Sequence, residues 1–199
     1  MNRQNRLLIV PIMTKTALAL VLLALVAVPV SAQTSELGIL FGGASRRPSG
    51  ADKDSGLKSN DWKFGDSVKE IYYSIALDPS TRFKVKAGQM DSTVTFVSGT
   101  GATTTRTHLD GQVEHIEGVV DYRFSEPFGS TGLFAGVGLY KQSASGNHDE
   151  TNYGLSAGVN GDFPLSSRYG IVAEGTYHWI NFTDRSRYIT IAAGFRIKF

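Results

Sequence analysis

The stretch Glu174-Gly175-Thr176-Tyr177-His178-Trp179-Ile180-Asn181 brings a carboxylate, a hydroxyl and an imidazole together at a spacing of two. On an extended strand that spacing puts Glu174, Thr176 and His178 on one face. Such a set does nucleophilic or acid–base chemistry only where a nucleophile and its base are jointly placed. Glu174 and His178 fit a buried polar network equally well. Metal-type donors occur as His108 with Asp110 and as His148 with Asp149 and Glu150. These are expected in different loops at one end of the molecule, solvated rather than ligating. Asp52-Lys53-Asp54-Ser55-Gly56 has the acid spacing of a calcium loop. Its glycine comes one position early, and Lys63 stands where the closing bidentate carboxylate belongs. Neither a metal nor a cofactor is expected. The chain has no cysteine, so disulfides and thiol chemistry do not enter.

The elements that must position these residues are strands. After Ala32 the chain alternates apolar and polar residues almost throughout, the period of a strand with two unlike faces. Eight such segments are predicted: Ser35–Gly43, Val68–Asp78, Thr81–Met90, Gln112–Phe124, Thr131–Gln142, Thr151–Phe163, Tyr169–Phe182 and Arg187–Phe199. Many have the length of a tilted membrane-spanning strand, about 9–11 residues. The connections alternate too. Ala44 to Ser67, Asp91 to Gly111 and Ser143 to Glu150 are long, whereas Pro79-Ser80, Ser125 to Ser130 and Pro164 to Arg168 are tight. Thr183 to Ser186 departs from the length contrast but keeps the parity. That parity belongs to an up-and-down meander whose two ends face different surroundings.

The two phases differ in chemistry. One carries Leu37, Ile39 and Phe41 in the first segment, Leu133, Ala135, Val137 and Leu139 in the fifth, and Ile189 to Phe199 in the last. Its charges, Lys69, Glu114, Lys141 and Arg187, fall at the long-loop ends. The other phase holds Glu70, Lys84, Lys86, His115, Glu117, Asp121, Arg123, Asp162, Glu174, His178, Arg196 and Lys198. With Glu36 set aside at the rim, five acids there face five bases, as a neutralising network in a narrow barrel would require. Aromatics of the apolar phase gather near both strand ends: Phe83, Phe124, Phe163, Tyr169 and Phe199 at one, Tyr153, Tyr177 and Trp179 nearer the other. That is the distribution of two interfacial girdles, and it places the apolar phase outside.

The first residues add a route to the membrane. Met13 to Ala32 has a positive start at Lys15, an apolar core from Ala17 to Val28, a break at Pro29 and a small-residue Val30-Ser31-Ala32 site. It is expected to be a cleaved signal peptide, with residues 1–32 removed and 33–199 forming the barrel domain; Met13 is a candidate start. The whole chain is formally +2, and Arg3, Arg6 and Lys15 are the only charges before Gln33, so the mature chain stands at −1. The basic balance is therefore no evidence for nucleic-acid binding, and none is expected.

The chain ends YITIAAGFRIKF, with Phe195, Ile197 and Phe199 on the apolar phase. This terminus resembles the β-signal of bacterial outer-membrane proteins. With the eight segments and Gly-rich stretches such as GLFAGVGLYKQ (132–142), the mature chain resembles the small eight-stranded outer-membrane barrel family, the opacity-protein and outer-membrane-protein-A-like, porin-like group. The resemblance implies an all-β, eight-stranded antiparallel up-and-down transmembrane β-barrel in the bacterial outer membrane. It implies outer-membrane lipids and lipopolysaccharide, periplasmic chaperones and the barrel-assembly machinery as partners, with Phe195, Ile197 and Phe199 as the assembly signal. An unidentified surface ligand at the external loops is a further expectation.

Some barrels of this kind modify lipid A. The 3-O-deacylase motif of that group needs a serine two residues after its histidine, both on the lipid face. Here Ile180 follows His178, and His178 is on the charged phase. Three function classes remain: a structural or surface-interaction barrel with a plugged lumen, a narrow channel for ions or small solutes, and a lipid-modifying enzyme. Charges of both signs favour the first, inward Gly136, Gly138, Gly154 and Gly158 keep the second open, and the missing serine disfavours the third.

Overall fold

The computed structural model describes residues 34–47, 63–98, 105–144, 148–182 and 187–199. The expected signal peptide and the Asp52–Gly56 stretch lie outside the described residues. Eight strands follow in chain order: β1 (Ser35–Arg47), β2 (Lys63–Ala76), β3 (Thr81–Ser98), β4 (Thr105–Glu126), β5 (Gly129–Ala144), β6 (His148–Pro164), β7 (Tyr169–Ile180) and β8 (Arg187–Lys198). Each pairs antiparallel with its sequence neighbours, and β8 pairs antiparallel with β1, so the sheet closes into a barrel. Closure leaves no edge unpaired around the wall, which a sheet surrounded by hydrocarbon requires.

The two phases separate as the alternation demands. In β7 every second side chain is buried, from Gly170 to Ile180. Residues of the apolar phase, among them Ile39, Phe41, Val137, Leu139, Leu155, Ile191 and Phe195, lie on the outer wall, while the charged phase lines the interior. An exterior of large apolar side chains over a charged interior inverts the arrangement of a water-soluble barrel and matches a barrel solvated by lipid. Phe83, Phe124, Phe163, Tyr169 and Phe199 are exposed at the tight-turn end, and Tyr153 and Trp179 toward the other.

The strands run past the predicted boundaries at the long-loop end. The stretch from Asp91 to Gly111, expected as a loop, is mostly a hairpin in which Ser98 pairs with Thr105. Its threonines and polar residues read as loop, but Thr93-Val94-Thr95-Phe96-Val97 is built from good strand formers. Ser143 to Glu150 likewise shrinks, since β5 continues to Ala144 and β6 begins at His148. His108 and Asp110 therefore belong to β4, and His148, Asp149 and Glu150 to β6, rather than to loops. β1 reaches Arg47 through a register shift between Ala44 and Ser45. That irregularity breaks the alternation and hides the strand's end. β2 stops at Ala76 at the tight-turn end and β7 at Ile180 at the long-loop end, each two residues short of expectation.

The tight end is held by local chemistry. Asp78 Oδ1 accepts the backbone N–H groups of Ser80 at 2.8 Å and Thr81 at 2.7 Å, closing the β2–β3 turn. Hydrogen bonds from the Thr81 hydroxyl and from these two amides hold the Asp78 carboxyl below its ordinary range. Between β4 and β5 only Pro127 and Phe128 intervene, and Gly129 closes the turn at φ 155° with Asp162 O where a Cβ would sit. Glycine alone accepts both conditions.

Candidate functional site in the barrel lumen

The lumen polar groups form one connected set running from the tight-turn rim upward. At the bottom Glu36, on β1, is fully buried. Arg82 lies 2.6 Å from it, Arg123 and Lys198 both 3.5 Å, and Arg196 3.9 Å. Asp162 accepts from Arg123 at 2.9 Å and from Arg196 at 2.8 Å. Asp121 accepts from Arg123 Nε at 3.0 Å and from Asn160 at 2.8 Å.

The middle layer is built around Glu174. Lys84 donates to one carboxylate oxygen and Lys86 to the other, the latter at 3.0 Å. Lys86 also lies 3.3 Å from Glu70. Both ammonium groups lie against rings: Lys84 stands 4.7 Å from the centre of Tyr72, and Phe134 lies 5.5 Å and 5.4 Å from Lys84 and Lys86. Desolvated cations gain from such faces as well as from carboxylates.

Above this layer stand the two histidines. His115 Nε2 is 3.3 Å from Glu70 and 3.6 Å from Glu117. Glu117 accepts the Tyr140 hydroxyl at 2.8 Å and the Ser156 hydroxyl at 2.6 Å. His178 Nδ1 is 3.0 Å from the Tyr140 oxygen, and its Nε2 is 3.3 Å from Thr190 Oγ1. With the Tyr140 proton directed to Glu117, the Tyr140 oxygen is left to accept from His178 Nδ1–H, and Nε2 to accept from Thr190.

The twelve charged-phase residues named from the sequence thus lie on the lumen side, and with Glu36 included they are linked by ion pairs and hydrogen bonds, Lys198 joining through Glu36 alone and partly exposed at the rim. Glu36, a rim residue by its sequence position, is the carboxylate on which four cations converge. Arg82 shares the phase of Lys84 and Lys86 on β3 and is a further lumen cation that the alternation signals. With these two, six carboxylates (Glu36, Glu70, Glu117, Asp121, Asp162, Glu174) face six cations (Arg82, Lys84, Lys86, Arg123, Arg196, Lys198). The uncharged partners Tyr72, Phe134, Tyr140, Ser156, Asn160 and Thr190 are also additions from the structure, although each shares the phase of a charged neighbour on its own or an adjoining strand. Toward the long-loop end the lumen becomes more apolar, with Val68, Met90, Val113, Ile180, Phe182 and Tyr188 buried beside the polar Ser45 and Gln142.

The inward glycines do not leave open space. A Cβ on Gly154 would meet the Tyr140 ring at 2.7 Å, and one on Gly158 the Phe134 ring at 2.6 Å. At Gly138 it would meet the Glu117 side chain at 2.7 Å, and at Gly136 those of Val119 and Ser156. These glycines are seats for large side chains from neighbouring strands, which corrects the expectation that they widen the lumen.

Among the described lumen residues the Thr190 hydroxyl lies 3.3 Å from His178 Nε2, but both are buried inside the barrel, away from the lipid face. A serine nucleophile needs an imidazole to take its proton, but the Ser156 hydroxyl donates to Glu117. His178 is wholly buried in the lumen, and Ile180, two residues on, is buried on the same face. On the outer wall of β8, Phe195 and Phe199 are exposed and Ile197 half-buried. The Phe199 amide donates to Ser35 O at 3.0 Å across the seam.

No protein-family model and no curated protein sequence matches the chain. Solved structures do. Neisserial surface protein A superposes with a TM-score of 0.61 at 16% identity, over 85% of this chain and 98% of that one. Ail, the attachment invasion locus protein of Yersinia pestis, gives 0.50 at 15% identity over 83% and 98%. A major outer membrane protein from Thermus thermophilus gives 0.50 at 10% identity over 85% and 100%. With strand number, closure and pairing order already fixed, the chain has the fold of the small eight-stranded outer-membrane β-barrels.

Proposed function

We propose that this protein is an integral barrel of the bacterial outer membrane with a structural or surface-interaction role, and that its lumen is plugged. The observation that carries the reading is the filling of the interior: every lumen carboxylate described has cationic or hydrogen-bonding partners, and large side chains occupy the space over the inward glycines. An eight-stranded barrel has an interior just wide enough for side chains to fill, so this filling, polar and apolar together, leaves no continuous water path. The apolar outer wall with aromatic residues toward both ends supports placement in a bilayer.

Outer-membrane lipids and lipopolysaccharide are its surroundings in this reading. Periplasmic chaperones deliver the chain, and the barrel-assembly machinery reads Phe195, Ile197 and Phe199. An unidentified surface ligand would meet the barrel at its long-loop end. The narrow-channel reading rests on space over the glycines, which Phe134 and Tyr140 occupy. An enzyme is disfavoured because, among the described residues, no hydroxyl nucleophile is paired with an imidazole toward the lipid.

The test is the conductance of the protein, purified from membranes and inserted into a planar lipid bilayer. Silence from protein shown to be folded and inserted is the expected result. Discrete, reproducible current steps would overturn the plugged lumen and make solute selectivity the question.

A further inference from the structure

The filling of the lumen is of two kinds, and they resist ions differently. From Glu36 to His178 the interior is lined by ionised or hydrogen-bonding groups, and some of them have capacity to spare. Tyr72 Oη and His115 Nδ1 are buried without a hydrogen-bonding protein partner. Groups of this type are solvated readily by water, and their partners can be exchanged one at a time. The long-loop third is different. Val68 on β2, Met90 on β3, Val113 on β4, Ile180 on β7, Phe182 just after it and Tyr188 on β8 are all nearly or completely buried, at the long-loop end of a contact cluster that continues down the lumen through Leu40, Tyr72, Tyr140 and Val172. Val68 pairs with Met90, and Met90 with Val113, so three of them sit side by side across adjacent strands on the lumen face. Ala44 of β1 joins the same cluster. The buried polar groups at this height are the Gln142 amide, paired in register with Val113, the Ser45 hydroxyl beside Ala44 and the Tyr188 hydroxyl, so an ion crossing the layer finds few groups to replace its hydration shell, the condition under which a constriction closes by dewetting.

We propose that the apolar layer of Val68, Met90, Val113, Ile180, Phe182 and Tyr188 is the barrier to solutes. The charged lumen beneath it is filled and charge-compensated, but its groups can take up water and ions once that layer is removed. This rests on the plugged-lumen reading and assigns the plug to particular side chains. Charge pairing compensates the interior; the apolar layer seals it.

The experiment compares three proteins in a planar bilayer: the unsubstituted chain, the double variant Met90→Ala/Phe182→Ala, and Glu174→Gln. Phe182 lies beyond the last ladder residue of β7, so its truncation leaves the strand pairing untouched. Phe182→Ala alone serves as a milder variant should the double variant fold poorly. Folding of each is verified by the electrophoretic mobility of the unheated barrel. The expected result is discrete current steps from the double variant, or from Phe182→Ala, where the unsubstituted protein and Glu174→Gln are silent. Silence from both folded Phe182 variants overturns the seal. So does a conductance in Glu174→Gln equal to theirs, because the charge network would then be the barrier. Steps from the unsubstituted protein would sink the plugged lumen itself, a separate outcome from either of these.

Discussion

Glu36 and Lys198 are register partners across the seam where the first strand meets the last, and their charged groups lie 3.5 Å apart. The same carboxylate is approached by Arg82, Arg123 and Arg196, so strands β1, β3, β4 and β8 meet on one buried charge. Removing one partner from a buried ionic cluster leaves the others uncompensated, at about 3–5 kcal/mol. Glu36→Gln keeps the shape and removes the charge. It is expected to lower the unfolding free energy of the refolded barrel by that order in a urea titration. A loss under about 1 kcal/mol, the scale of an exposed pair, would mean that the cluster does not hold the seam.

Ile191 faces outward on β8, opposite Gly43 of β1 and Gly175 of β7, with 59% of its surface exposed to the surroundings. Near the bilayer midplane an arginine at such a position costs about 2–4 kcal/mol. Ile191→Arg is expected to lose stability in that range in lipid vesicles. Equal folding yield and stability would reverse the assignment of inside and outside.

Phe199 combines an exposed ring at the tight-turn rim with a backbone bond to Ser35. Deleting it is expected to reduce the level of assembled barrel in cells, read as the folded band in outer-membrane fractions. Refolding in vitro should suffer less, since one terminal hydrogen bond contributes only about 0.5–1.5 kcal/mol. An unchanged level in cells would remove Phe199 from the assembly signal.

Asp78 offers a pH-dependent effect outside the membrane span. Its hydrogen bonds to the Thr81 hydroxyl and to the Ser80 and Thr81 amides favour the ionised form, so its acidity is greater in the folded turn than in the unfolded chain. A carboxyl shifted in this direction stabilises the fold fully above its unfolded pKa, and the contribution is lost as pH falls through the folded value. Asp78→Ala should therefore unfold at lower urea concentration than the unsubstituted protein at neutral pH. The difference should shrink in strong acid. A gap that is constant with pH would show that the carboxylate charge is not what closes the turn.

Strand number, order and the separation of faces are legible in the sequence because a two-sided strand writes its burial as a period of two. The charged phase is equally legible, from Glu70 on β2 to Lys198 on β8. What the sequence conceals depends on neighbours across the barrel. Glu36 looks like a rim residue by its place near the strand end, and only strand tilt brings Arg82 and Arg123 to it. Gly154 and Gly158 look like empty space, because the rings that cover them come from β5. The ends of β1 and β3 are hidden for local reasons: a bulge at Ala44 and Ser45, and a threonine-rich composition that reads as loop.

The pairing order carries a consequence for how the chain folds. All ladders but one join strands that are consecutive in the sequence, so each can zip as a local hairpin. The exception is β1 with β8, whose residues Glu36 and Lys198 stand at opposite ends of the domain. Joining the ends of a loop that long costs on the order of 4–5 kcal/mol in chain entropy by the logarithmic law, beyond a constant term. Each intervening hairpin that has formed shortens that search. The seam is thus the pairing with the longest loop to close, and the cations gathered on Glu36 reward the correct alignment over a slipped one.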